Sequence, residues 1–205
     1  MKKLFLVFAS TLAAGMVFFI GNQSVSAEEI NTDEIVTNVT TIGGVTIEEI
    51  IVPNEINEEW EKENGWEDSH SVDEMTSELV TSNPFEPSTT LPEFTTFGAS
   101  APLFTYWNVK DGSYSFSGSF KANNALYTNK AIKGATQYKA TITNTGSTKV
   151  GFEARDRLKV FKSSTLLVSA TTHLKVNIGS ANNSFYLKFY PINGAGSVKG
   201  TISKN

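Results

Sequence analysis

The sequence predicts an all-β protein: an antiparallel β-sandwich or jelly-roll-like domain of about eight strands, preceded by an acidic, partly disordered extension. Three observations carry this reading. From Phe94 onward, large and polar side chains alternate in short runs, the period of half-buried strands. Clusters of Gly, Asn and Ser separate those runs at short, regular intervals. No stretch of that region holds apolar residues at helical spacing, and about 110 residues suit one sandwich core.

Taken from the N-terminus, residues 1–27 read as a signal peptide. Lys2 and Lys3 precede an uncharged, mostly apolar run from Leu4 to Ile20, and Val25-Ser26-Ala27 offers small residues at a cleavage site. Cleavage would make Glu28 the first residue and leave no integral membrane anchor. Retention as an anchor is the competing reading, because the run is near the lower limit for spanning a bilayer.

Residues 28–80 form an acidic segment. Two β-prone runs, Ile35 to Thr41 and Val45 to Val52, flank Ile42-Gly43-Gly44 and predict a hairpin. A short helix is expected from Ile56 to Asn64, ended by Asn64-Gly65. A second is expected after the capping box Ser71-Val72-Asp73-Glu74, running to about Val80. Residues 81–102 hold Pro84, Pro87, Pro92 and Pro102 among Ser and Thr, the composition of an extended linker.

Residues 103–205 are then the sandwich. Its strands are expected around Tyr114 to Phe120, Tyr138 to Thr143, Val150 to Phe152, Leu158 to Phe161, Thr165 to Ala170, His173 to Ile178, Phe185 to Tyr190 and Val198 to Ile202. The chain has no cysteine, so this core must hold without disulfides, and thiol nucleophiles and thiolate metal sites are excluded.

Charge divides along the same boundary. From Glu28 to Glu93, eighteen Asp/Glu face one lysine, Lys62, for −17; from Phe94 to Asn205, fourteen Lys/Arg face Asp111, Glu153 and Asp156, for +11. An intramolecular contact between acidic segment and basic domain is therefore expected. It should be weak, with the basic domain folding alone, since each exposed ion pair contributes only about 0–1 kcal/mol. The acidic block reads either as a pro-segment masking the basic domain or as a solvated spacer.

Catalytic chemistry is scarce. His173 with Asp111 or Asp156 and a serine would make a triad, but no Gly-x-Ser-x-Gly elbow exists, and His173 reads as an ordinary strand residue. Glu153 and Asp156 sit beside Arg155 and Arg157, which argues local ion pairing over a glycosidase pair. Glu67, Asp68, His70, Asp73 and Glu74 lack calcium-loop spacing, so neither metal nor cofactor is expected. No enzyme activity is expected.

Binding is the remaining reading. Phe185, Leu187 and Phe189 should face the core, leaving Tyr186, Lys188 and Tyr190 as an outward platform, with Lys139 and Lys175 adding positive charge. Such a surface suits an anionic cell-wall polymer or another secreted protein; nothing resembles a nucleic-acid motif.

The ending, with Tyr186-Leu187-Lys188-Phe189-Tyr190 before a turn and Val198-x-Gly200-x-Ile202 at the close, resembles small secreted β-sandwich modules of Gram-positive bacteria. It has the rhythm of the PPC-type accessory domains of secreted peptidases. The resemblance covers the last hundred or so residues and implies an accessory or binding role outside the cell, free or wall-associated. The long apolar run after Lys2 and Lys3 is similar to Gram-positive export signals.

Overall fold

The computed structural model describes residues 34–66 and 95–205. The expected signal peptide, the capping-box helix and most of the Pro-rich linker lie outside the described residues.

The hairpin forms as expected. Strands β1 (Val36–Ile42) and β2 (Val45–Pro53) pair antiparallel around Gly43-Gly44. Both glycines have positive φ, 60° and 81°, which a two-residue turn of this hand demands and which Cβ-bearing residues adopt only with strain. Helix α1 (Asn54–Glu63) follows directly, starting two residues earlier than the sequence suggests because Pro53 presets its entry. It ends at Asn64, and Gly65 with φ 67° turns the chain back.

The remaining strands are β3 (Thr95–Thr96), β4 (Tyr106–Asn108), β5 (Tyr114–Phe120), β6 (Leu126–Tyr127), β7 (Ala131–Lys133), β8 (Gln137–Asn144), β9 (Val150–Arg155), β10 (Val160–Leu166), β11 (Ala170–Asn177), β12 (Tyr186–Pro191) and β13 (Gly196–Lys204). They build a seven-stranded sheet, β1-β2-β11-β8-β13-β5-β3, a four-stranded sheet, β10-β9-β12-β6, and a parallel pair, β4-β7. The two larger sheets are antiparallel apart from the short β3–β5 pairing. One core lies between them. Ile47, Leu174, Tyr138, Ile142, Phe116 and Ile202 from the larger sheet pack in one cluster with Phe152, Leu187 and Phe189 from the smaller. The all-β sandwich is therefore the fold, with the long strands on the alternating runs. The strands missed are mostly of two or three residues, too short for a period to register.

The domain boundary needs correction. The sandwich does not begin at residue 103, and the acidic segment does not dock weakly on a finished domain. Strand β2 pairs with β11 through eight consecutive positions, from Ala170↔Pro53 to Asn177↔Thr46. Val45 and Ile47 are buried in the common core, and α1 packs on the outer face of β2 and β11. An isolated hairpin is marginal in water, and burying this apolar strand against β11 is what stabilises it. Net charge obscured the point, because the charged side chains of residues 45–63 mostly alternate away from this apolar stripe.

Two carboxylates do not: Glu61, buried between α1 and the sheet, and Glu49. Glu49 follows the inward alternation between Ile47 and Ile51 and is buried, and Lys162 reaches it from β10 in the opposite sheet, with Nζ 2.7 Å from Oε2. Acidic segment and basic domain thus meet through the interior as well as at the surface.

Candidate binding surface

Alternation along β12 places Tyr186, Lys188 and Tyr190 on the outer face of the four-stranded sheet, opposite Phe185, Leu187 and Phe189 in the core. Their cross-strand partners on β9 are Arg155, Glu153 and Gly151. Glu153 accepts from Arg155 Nη1 at 2.8 Å and from Lys188 Nζ at 3.2 Å, so one carboxylate is shared by two cations. Lys188 Nζ sits 5.2 Å from the centre of the Tyr190 ring, and Arg155 lies 6.0 Å from that of Tyr186. The Tyr190 ring packs on the backbone of Gly151, where a Cβ would fall 2.2 Å from it. Glycine is therefore needed at residue 151 for that ring position.

Two corrections apply. Tyr186 is only 5% exposed, against Tyr127 and Arg155, and does not stand out as a platform. Burial pushes its hydroxyl above the usual tyrosine range, with Arg155 pulling partly the other way. Lys139 and Lys175 lie on the other sheet, as cross-strand neighbours on β8 and β11. Both engage the acidic segment: Lys175 Nζ is 3.2 Å from Glu48 Oε2, and Lys139 Nζ donates to the Gly65 carbonyl at 3.0 Å above the Trp66 ring. They are placed to hold β2 and the end of α1.

The titratable residues weighed for catalysis are also placed. His173 is fully buried beneath α1, with Nε2 2.8 Å from Asn57 Oδ1 and 3.4 Å from Glu61 Oε1. The rings of Trp60 and Trp66 lie 4.7 Å from it on two sides. It packs between the helix and the sheet. Asp156 Oδ1 accepts the backbone N–H groups of Leu158 and Lys159, each at 2.6 Å, and so shapes the β9–β10 turn. Among the described residues no three His, Asp or Glu gather closely enough to hold a metal.

A groove that sequence reasoning missed lies at one end of the sandwich. The β1–β2 turn, the Pro102 to Tyr106 segment, the β9–β10 turn and the β11–β12 loop surround an open space of about 670 Å³. Phe104 and Leu158 stand on its rim, 78% and 84% exposed. Arg157 lies 5.8 Å from the Phe104 ring centre, and Tyr106, Lys159 and Tyr186 are also in the lining. Flat apolar faces alternate there with cations, an arrangement that can pack a ring while neutralising an attached anion. Its residues are scattered over four connections and the strand ends beside them, and only the topology unites them. No protein-family model matches the chain, and no curated protein sequence is similar to it.

Proposed function

We propose that the chain is a secreted, non-enzymatic binding module that holds an anionic cell-wall polymer in the end groove. The contact would extend along the outer face of β12 at Lys188 and Tyr190. The carrying observation is the meeting of exposed rings and cations in that groove: Arg157 lies against Phe104 at the rim, and Lys159 and Tyr106 share the lining. A polymer of sugars or polyols bearing phosphate or carboxylate offers both the apolar faces and the charges that such pairs bind. Location outside the cell rests on the export-type residues 1–27. Among the described residues, no helix is long and apolar enough to cross a membrane.

The alternative, an effector whose acidic segment is a removable pro-region, is disfavoured by β2. Cleavage in the Pro-rich linker would cut the chain but leave β2 paired along β11. The minor hydrolase alternative loses its histidine to the interior.

The test is retention on purified walls before and after teichoic acid is stripped. Intact walls should retain the protein, with retention falling as salt rises. Arg157→Glu combined with Lys159→Glu should weaken it at least about tenfold, since two contacts of about 1 kcal/mol each become repulsive. Equal retention on stripped and intact walls would remove the polymer as partner.

A further inference from the structure

A sheet edge presents unpaired N–H and C=O groups, and folded proteins protect such edges with brevity, bulges or inward charges. Three of the four edges of the two main sheets are protected here. Strands β3 and β6 are two residues long. Strand β10 is longer but carries a bulge between Val160 and Lys162, and Lys162 points inward to Glu49. Strand β1 has none of these devices. It runs seven residues, Val-Thr-Asn-Val-Thr-Thr-Ile, without charge, proline or glycine, and its register with β2 is unbroken from Val36↔Ile51 to Ile42↔Val45. Val39 at its centre is 66% exposed.

The turn fixes which groups are open. A two-residue loop closes on a hydrogen-bonded pair, here Ile42 and Val45, so even-numbered residues of β1 bond β2. The hydroxyls of Thr41 and Thr46 lie 3.1 Å apart, as side chains do in the intervening non-bonded pairs. Thr37, Val39 and Thr41 therefore direct their N–H and C=O groups away from the sheet.

We propose that this edge is a homodimer interface: a second copy adds its own β1 antiparallel, across a two-fold axis at Val39. That register sets Val39 against Val39 and Thr37 against Thr41. It uses the outward-facing groups of both strands and joins two seven-stranded sheets into one. The pairing is self-complementary, as a two-fold interface requires. Because β1 is uncharged, two copies meet without like-charge repulsion along the strand.

The chain lacks cysteine, so disulfide trapping reads the register directly. Opposed residues in such a pair have Cα atoms about 5.5 Å apart, within disulfide range. In the full chain under mild oxidation, Val39→Cys alone should form a covalent dimer at least about tenfold faster than the more exposed control Leu158→Cys. Thr37→Cys and Thr41→Cys should each stay monomeric alone and cross-link when mixed. Adding Val39→Pro to both partners should abolish that cross-link with the far-UV spectrum unchanged, because it deletes only an outward-facing donor. Trapping no faster than the Leu158→Cys control, or cross-linking that survives Val39→Pro, would overturn the proposal.

Discussion

Replacing Lys162 with methionine tests whether the acidic segment is bound through the core. The Glu49 side chain is 1% exposed and that of Lys162 10%, with 2.7 Å between Oε2 and Nζ. Glu49 Oε1 has no hydrogen-bond donor among the described residues, so the ammonium carries most of the compensation for a buried charge. Methionine keeps the volume and removes that compensation. Breaking a buried pair in this way costs about 3–5 kcal/mol. For a chain of this size the melting temperature should fall by roughly 6–20 °C. Changing both partners, Glu49→Leu with Lys162→Met, should return stability to the parent value or above it, since well-packed apolar pairs often match buried ion pairs. Urea denaturation of the parent, both single variants and the double variant would give the coupling energy, and an unchanged m-value would keep the comparison valid. A loss below about 1 kcal/mol for Lys162→Met would refute the reasoning, because the charge would then have to be solvated.

Other outcomes follow from single contacts. The Tyr138 hydroxyl donates to the Ala135 carbonyl and accepts its N–H, and burial holds its pKa above the usual 10.0 against that hydrogen bond. The neutral phenol's contribution is thus fully present below pH about 10 and lost as pH rises beyond it. Tyr138→Phe should flatten that alkaline decline in thermal melts while costing about 1–3 kcal/mol at neutral pH. His173→Ala should cost about 2–4 kcal/mol and change tryptophan fluorescence, since Trp60 and Trp66 flank the ring; an unaltered spectrum would contradict this packing. Gly151→Ala should displace Tyr190 and destabilise by about 1–3 kcal/mol, read as a lowered urea midpoint together with reduced wall retention.

The fold was legible where alternation was long. β5, β8, β9, β11, β12 and β13 each lie on runs whose period survives interruption, and Gly43-Gly44 marked the first hairpin. The partner of that hairpin was not legible. Nothing local in Val45 to Val52 says that β11, more than a hundred residues on, will pair with it, and the surrounding charge suggested an appendage. For the same reason Lys139 and Lys175 looked available for a ligand: their acceptors, Gly65 and Glu48, come from the distant segment. Lys188 and Tyr190 were correctly placed outward by strand period alone. The groove escaped because Phe104, Arg157 and Asn182 belong to separate connections, and convergence is a property of topology.

The most direct measurement is the amide NMR spectrum of residues 95–205 alone, compared with that of residues 28–205. If β2 and α1 belong to the sandwich, the fragment lacks the strand that covers β11 and the helix that seals His173, and its spectrum should collapse to the narrow dispersion of an unfolded or molten chain. Chain 28–205 should give a dispersed spectrum at low and high salt alike, because β2 is held by backbone pairing and burial more than by screened surface charge. A well-dispersed fragment spectrum that overlays that of chain 28–205 would contradict the account and restore the acidic segment to the status of an extension.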